Sequence, residues 1–198
     1  REYTVEGDYS QGAFFAVLGA LQGGIAVGGL APESGQGDAV ILEILRRCGA
    51  RFVRAEGAVH FAKSALTATE IDLADCPDLG PVLMVLGAFC QGQTVIRNAG
   101  RLRLKESDRI AAMEEELRRF GVRISSTADT VTITGGPLVM PGDLRGHNDH
   151  RVVMALTVAA LAAGLPARIH GAEAVAKSWP GFFDVVRALG GRVSEEAE

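Results

Sequence analysis

Apolar and polar positions along the chain form one pattern that occurs three times. Each occurrence has an aspartate, a long apolar run, a glycine break, a β-rich stretch, and a second run that ends in glycine. The opening aspartate recurs at intervals of 70 and 71 residues, and the closing glycine at intervals of 72 and 69. The markers are Asp8, Asp78 and Asp149, and Gly49, Gly121 and Gly190. This spacing predicts one domain over residues 1–198, built from repeats at approximately 1–64, 65–135 and 136–198.

Each repeat is predicted to run strand, helix, strand, helix, and then one or two strands. The aspartate occupies the N-cap position of the first helix, and the closing glycine the left-handed position after the second. The last repeat is predicted to lack a closing strand pair, because only SEEAE follows Val193.

The two helices of each repeat differ in their apolar pattern. The first is apolar nearly all round and is therefore predicted to be buried on every side. The second is amphipathic; in the middle repeat, charged residues at 114–116 and 118–119 alternate with apolar ones. Those apolar residues are Ile110, Met113, Leu117 and Phe120. The pattern predicts an α/β fold, a pseudo-threefold inverted α/β barrel of three βαβαβ(β) repeats with the helices buried and the sheets outside.

One apolar stretch is long enough to raise the question of a membrane span. Residues 12–31 contain a single polar side chain, Gln22. Glycine pairs at 23–24 and 28–29 interrupt the stretch, and β-type residues resume at Ile25. A buried helix followed by a strand is the better prediction, with no membrane association.

Composition and charge restrict the classes of partner. Hydrophobic residues make up 47% and charged residues 22%, as in globular proteins. A formal net charge of -4 gives no general attraction for nucleic acid or anionic membranes, so a bound anion needs a local cluster of cations. Cys48, Cys76 and Cys90 are odd in number and form no CxxC pair, which predicts buried free thiols and a reducing compartment.

Charged residues that could take part in binding or catalysis lie where helices are predicted to begin. Helix N-termini favour bound anions. The segment RLRLKESDRI places four cations and Glu106 directly before a helix capped by Ser107 or Asp108. Its cations are Arg101, Arg103, Lys105 and Arg109. A cap with a solvated charged turn is the alternative interpretation.

Two later segments repeat this arrangement. GHNDHRVV places His150 and Arg151 in the first turn of an apolar helix, where a cation is unfavourable unless an anion compensates it. AKSWPGFF places Lys177 before a helix start capped by Ser178 with Pro180 in the first turn. A plain surface lysine is the alternative there.

The motifs LKESDR, NDHR and AKSWPGFF, in this order, are similar to the C-terminal signature set of EPSP synthases, and VEGDYS and CPDLGP also resemble that family. The resemblance covers essentially the whole chain. It implies transfer of the enolpyruvyl group of phosphoenolpyruvate to the 5-hydroxyl of shikimate 3-phosphate, without metal or organic cofactor, in the cytoplasm. It also implies that this chain is a fragment whose N-terminal partner domain is absent, and that it is inactive alone.

The resemblance assigns a role to each matched residue. Asp78 would take the 5-hydroxyl proton, and Glu106 would handle the proton at the methylene carbon. Lys105 would contact shikimate 3-phosphate and also assist proton movement as a third catalytic residue. Arg101 stands where many members have asparagine, which leaves that substrate contact open. The phosphoenolpyruvate cations would be Arg109, Arg151 and Lys177, with Asp149 and His150 in support.

Two alternatives compete with this interpretation. UDP-N-acetylglucosamine enolpyruvyl transferase shares fold and chemistry but not LKESDR with NDHR. A repeat domain without catalysis, which binds an anion or a protein partner, is the other. If the catalytic interpretation holds, six residues should converge on one face: Asp78, Lys105, Glu106, Arg109, Arg151 and Lys177.

Overall fold

The computed structural model describes residues 5–196. Within them the helices are α1 Tyr9–Gln22, α2 Ile41–Arg47, α3 Gly80–Phe89, α4 Arg109–Arg119, α5 His150–Ala163 and α6 Phe182–Ala188. The strands are β1 Ile25–Gly28, β2 Arg51–Ala55, β3 Ala58–Ala62, β4 Glu70–Asp72, β5 Gln93–Arg97, β6 Arg123–Ser126, β7 Val131–Thr134, β8 Asp143–Arg145 and β9 Arg168–His170. Short 3-10 turns cover Gly37–Val40, Pro77–Leu79, Gly100–Leu104 and Ala172–Lys177.

The strands form three sheets in a mixed α/β fold. The sheet orders are β1-β3-β2, β4-β5-β7-β6 and β8-β9. β4 pairs with β5, and β8 with β9, in parallel across an intervening apolar helix, whereas the hairpins are antiparallel. The opening strand predicted for the first repeat falls partly on residues 1–4, outside the described residues; beyond them, the Gly7 N–H donates to the Gly29 carbonyl at 2.7 Å. Up to residue 196 no strand follows α6.

The three apolar helices α1, α3 and α5 pack against one another at the centre. Each of these helices has fully buried side chains, for example Phe14 in α1, Leu83 in α3 and Met154 in α5. An apolar surface on every side of a helix is removed from water only when neighbours surround it, which explains their central position. In α4 the apolar residues predicted for the core are buried, but Glu116 is buried as well. Assigning Glu116 to the exposed polar face was therefore wrong.

The helix caps bear out the aspartate pattern at two of three places. The Asp8 carboxylate accepts from the backbone N–H groups of Ser10 and Gln11, and Asp149 accepts from that of Arg151. Asp78 does not cap α3: it lies in the 3-10 turn that precedes the helix, and its carboxylate binds cations instead. The prediction of a cap at Asp78 was wrong because those cations compete for the same oxygens.

The three closing glycines and the cap of α4 are as predicted, whereas the predicted cap of α6 is not. Gly49, Gly121 and Gly190 have φ values of 89°, 79° and 91°, as predicted for residues that follow a helix. Asp108 caps α4 by accepting from the backbone N–H of Ala111. The predicted cap at Ser178 was wrong: α6 begins at Phe182, its N-cap residue is Gly181, and no side chain bonds to that cap.

Two other predictions from composition can be compared with the fold. All three cysteines are free and buried, as predicted. Residues 12–31 form most of α1, a turn and β1, as predicted. Among the described residues, no helix has both the length and the apolar character that a membrane crossing requires.

Gly135 and Gly136 provide a test of how tightly the sheet packs on the central helices. A Cβ on Gly135 would lie 1.8 Å from the Cys90 carbonyl oxygen, which is backbone and cannot yield, whereas a Cβ on Gly136 would meet nothing within 4 Å. We expect Gly135→Ala to lower the free energy of unfolding by about 2 kcal/mol or more, measured by urea denaturation. The neighbouring Gly136→Ala should stay within about 0.5 kcal/mol of the native chain; equal effects of the two would contradict this packing.

Candidate active site

A buried arginine lies at the centre of the charged residues. The Arg109 side chain is only 1% exposed and extends from the first residue of α4. Its Nε donates to Asp149 Oδ2 at 2.8 Å, its Nη1 to Asp78 Oδ1 at 3.0 Å, and its Nη2 to Glu106 Oε2 at 2.5 Å. A second bond joins Nη2 to Asp149 Oδ1 at 3.3 Å. Three carboxylates from three segments thus compensate one buried charge.

Asp149 is the most deeply buried of these carboxylates. Besides Arg109, it accepts from Ser107 Oγ at 3.0 Å and from the Arg151 backbone N–H at 2.9 Å. Burial by itself raises the pKa of Asp149, but the hydrogen bonds and charge of Arg109, together with these two donors, outweigh burial and hold the pKa below its ordinary value. Asp149 is therefore ionised at neutral pH.

Asp78 connects the buried cluster to the surface. Its Oδ1 lies 3.0 Å from Lys105 Nζ, and its Oδ2 lies 3.6 Å from Arg151 Nη2. Burial raises the pKa of Asp78. The charge of Arg151, the hydrogen bond from Lys105 and the charge of Arg109 lower it by more than burial raises it, so the net shift is downward. Asp78 is a carboxylate with three cations around it and 34% of its side chain exposed. It can accept a proton only after some of that positive charge has another partner.

Glu106 and Lys105 lie side by side between the 3-10 turn and α4. Glu106 contacts Arg109 through one oxygen and has 44% of its side chain exposed, and Lys105 has 26% exposed. Both therefore present polar atoms to solvent at the rim of the cluster. This is the geometry that a ligand arriving from outside requires.

His150 begins α5 beneath this rim and is nearly buried. Burial and the charges of Arg151 and Arg109 lower its pKa, against the opposing charges of Asp149 and Glu106. Among the described residues no hydrogen-bond partner reaches its buried Nδ1. His150 is therefore neutral at neutral pH.

Lys177 and Arg101 contact the cluster less directly. Lys177 Nζ donates to the carbonyl and to the Oδ1 of Asn148, both at 2.6 Å, and Asn148 precedes Asp149. Arg101 Nη1 donates to the Ala74 carbonyl at 3.3 Å. Within residues 5–196 Arg101 forms no ion pair with the three carboxylates that surround Arg109. Five of the six residues expected to converge are joined by direct contacts, and Lys177 joins them through Asn148.

Sequence reasoning missed several polar residues of this region. Asp38 is buried, and its carboxylate is bonded to Ser10 Oγ. Burial raises its pKa, and so do Asp78 and Asp8, whereas Ser10 and Arg151 lower it. The signal in the sequence that could have pointed to Asp38 is the glycine directly before it. A Cβ on Gly37 would lie 2.3 Å from the Asp75 carbonyl oxygen, so only glycine allows this turn to approach the segment before Asp78. Ser107 was predicted only as a possible helix cap and Asn148 was given no role, because each is an unremarkable polar residue within its motif.

Comparisons with known proteins agree on one family. The family profile of EPSP synthase (3-phosphoshikimate 1-carboxyvinyltransferase) matches residues 1–186. The chain is 41% identical over 192 residues to the 3-phosphoshikimate 1-carboxyvinyltransferase of Clostridium kluyveri, with 97% of this chain and 45% of the relative covered. The counterpart from Methanothrix thermoacetophila is 46% identical over 194 residues, with 97% and 45% covered. The chain belongs to the EPSP synthase family.

Solved structures agree with this assignment. An EPSP synthase from Acinetobacter baumannii superposes with a TM-score of 0.83 at 30% identity, over 93% of this chain and 46% of that one. The enolpyruvyl transferase NikO from Streptomyces tendae superposes at 0.73 with 22% identity, over 96% of this chain and 44% of that one, and shows likeness of fold alone. The chain spans about half the length of the family members that it matches.

Asp149 and Glu106 form a matched pair for testing how the cluster is held. Asp149→Asn leaves the buried Arg109 charge with less compensation, so we expect the free energy of unfolding to fall by about 3 kcal/mol or more. Glu106→Gln removes a partly exposed carboxylate and should cost under about 1 kcal/mol. Because the pKa of Asp149 is lowered by folding, its stabilisation is present above the unfolded pKa and is lost as pH falls through the lower folded one. Equal costs of the two variants, measured by urea denaturation, would contradict the central position of Arg109.

His150 gives a pH-dependent prediction. Since its pKa is lowered in the folded chain, the unfolded chain binds more protons just below the ordinary value of 6.5. The free energy of unfolding should therefore decrease as pH falls from about 7 to about 5, and His150→Gln should flatten that decrease. An imidazole titration by NMR checks the cause directly. A His150 midpoint at or above 6.5 would refute the prediction.

Proposed function

We propose that this chain is the C-terminal half of an enolpyruvyl transferase that moves the enolpyruvyl group of phosphoenolpyruvate to the 5-hydroxyl of shikimate 3-phosphate and releases phosphate. The observation that carries the proposal is the joining of Asp78, Lys105, Glu106, Arg109 and Arg151 in one contact network. These residues come from the starts of α3, α4 and α5, and they are the residues that the family motifs single out. A chance charged surface has no reason to bury an arginine among three carboxylates, here Asp78, Glu106 and Asp149.

The ligand-free charge balance suggests how the site responds to its substrates. Lys105 and Arg151 each contact Asp78. Phosphate and carboxylate groups of the two substrates are strong acceptors for such cations. When they take over Lys105 and Arg151, Asp78 loses the charges that lower its pKa and becomes a better base. Arg109 is buried, so its contact with phosphoenolpyruvate requires one of its three carboxylates to give way.

The chemistry then follows from the residue types. The 5-hydroxyl passes its proton to Asp78 while its oxygen bonds to C2 of phosphoenolpyruvate, and Glu106, entering in its protonated form, delivers a proton to C3. In the second step C3 returns that proton to Glu106, the bond from C2 to the phosphate oxygen breaks, and phosphate leaves with the electron pair and takes the hydroxyl proton from Asp78. Arg109, Arg151 and Lys177 hold the anionic groups throughout, with Asp149 and His150 in support. Each proton transfer is worth roughly 10²–10⁴ in rate.

The finer architecture belongs to the same proposal. The three repeats at 1–64, 65–135 and 136–198 form a pseudo-threefold inverted α/β barrel around α1, α3 and α5. The parallel pairs β4–β5 and β8–β9, each enclosing a central helix, support it. The missing N-terminal domain supplies the other wall of the site, and the reaction takes place in the cytoplasm. Arg101 is a candidate substrate contact only if it leaves the Ala74 carbonyl.

A complementation assay tests the proposed function. The chain alone should release no phosphate from the two substrates, and addition of the N-terminal half of the Methanothrix thermoacetophila relative should restore turnover. Asp78→Asn should then lower the rate by roughly 10²-fold or more, whereas Glu43→Gln, which removes an exposed partner of Arg46, should not change it. Turnover by the lone chain would refute the half-site.

Direct titration separates the alternatives. Phosphoenolpyruvate and shikimate 3-phosphate should each bind the lone chain weakly, and Lys105→Met should weaken both. Turnover of the complemented enzyme with UDP-N-acetylglucosamine instead of shikimate 3-phosphate would favour the related transferase. Binding of neither substrate, together with failed complementation, would favour a domain that binds another partner.

A further inference from the structure

Glu116 is a buried carboxylate that the site described above does not use. It lies on α4 with its side chain fully buried. Its Oε1 lies 3.0 Å from His147 Nε2, and its Oε2 lies 3.3 Å from Arg119 Nε. A carboxylate is rarely buried this deeply unless it is paired. Here His147 is the hydrogen-bond partner, whereas Arg119 is within ion-pair distance but, among the described residues, Oε2 has no hydrogen bond.

His147 belongs to a loop with an unusual backbone. Residues 146–149 connect β8 to α5, and His147 and Asn148 have φ values of 50° and 54°. Two consecutive left-handed residues other than glycine persist only where surrounding contacts impose the conformation. The contact from His147 to Glu116 is one that can do so, because it fixes the side chain of the first strained residue to a helix.

The same loop holds two parts of the proposed anion site. Asn148 accepts from Lys177 Nζ through both its carbonyl and its Oδ1, and Asp149 accepts from Arg109. Arg109 and Glu116 lie two turns apart on α4, so this helix contacts the loop at two points. A relaxed loop would turn the Asn148 oxygens away from Lys177 Nζ.

A metal ion is the competing explanation for this cluster. Glu115, Glu116 and His147 offer ligand atoms within 4.8 Å of one another. However, the Arg119 guanidinium contacts both carboxylates, at 3.3 Å from Glu115 Oε1 and 3.3 Å from Glu116 Oε2. A cation of the chain therefore already lies between the two carboxylates and compensates part of their charge, which disfavours a second cation there.

We propose that Glu116 and His147 are positioning residues whose contact holds the loop at 146–149 in its left-handed conformation and thereby keeps the Asn148 oxygens on Lys177 and the Asp149 carboxylate on Arg109. The inference rests on the proposed function, since Lys177 and Arg109 form a phosphoenolpyruvate site only there. It adds to that function two residues that touch no substrate.

Four variants of this chain test the inference. Glu116→Leu keeps the volume and removes the acceptor, and His147→Asn tolerates a positive φ but is too short to reach Glu116. Glu116→Gln is the conservative variant, because its amide oxygen still accepts from His147. Glu115→Gln is the matched control, an adjacent exposed carboxylate that also contacts Arg119 but not His147. The readouts are the NMR signals of the Asn148 amide and Lys177 Nζ, the affinity for phosphoenolpyruvate by calorimetry, and the free energy of unfolding.

We expect Glu116→Leu and His147→Asn to shift both signals and to weaken phosphoenolpyruvate binding roughly fivefold or more. The reason is that in a smaller fraction of molecules the loop at 146–149 has the conformation that binds the ligand. Glu116→Gln and Glu115→Gln should keep both signals and the affinity. If Glu116→Leu only lowers the free energy of unfolding and leaves the signals unchanged, the inference is wrong. If the native chain binds neither substrate and complementation also fails, the proposed function fails instead, and the two signals still decide whether the contact positions the loop.

Discussion

The arrangement of this chain depends on a single buried guanidinium. Arg109 keeps its charge with almost no access to water, which is possible only if carboxylates come to it from elsewhere in the chain. They come from the segments that precede α3, α4 and α5, as Asp78, Glu106 and Asp149. The charge therefore fixes three helix starts relative to one another, and packing of the apolar helices α1, α3 and α5 makes those starts neighbours.

The network is balanced without a ligand, yet it is open on one side. In its buried part Arg109 donates two hydrogen bonds to Asp149, and Ser107 donates another to Asp149, so this part is held from several directions. Its outer part, Lys105 and Glu106 with Asp78 and Arg151, is partly exposed and is free to exchange partners. A buried part that stays in place, next to exposed cations that can exchange partners, suits substrates that carry phosphate and carboxylate groups. The family members that this chain matches are about twice as long as it is.

Local sequence pattern was sufficient where local physics decides the structure. The repeat spacing predicted the left-handed glycines and the caps at Asp8 and Asp149, because a cap and its helix are adjacent in the chain. The same rule failed at Asp78, whose cations lie 27 or more residues away, and at Glu116, whose partner His147 lies 31 residues away. A period of 3.6 residues places Glu116 on a polar face but says nothing of a loop that later covers it. The candidate residues could be named from motifs, whereas the buried position of Arg109 and the part played by Asn148 required coordinates.

The most direct test of this account is the pKa of Asp78, followed through its carboxyl ¹³C signal with and without phosphoenolpyruvate. In the free chain the pKa should lie below its ordinary value, because Arg151, Lys105 and Arg109 surround the carboxylate. Binding of phosphoenolpyruvate should draw Arg151 away from Asp78 and raise the pKa toward that value. An Asp78 pKa that is already ordinary in the free chain, or one that saturating ligand leaves unchanged, would contradict the account.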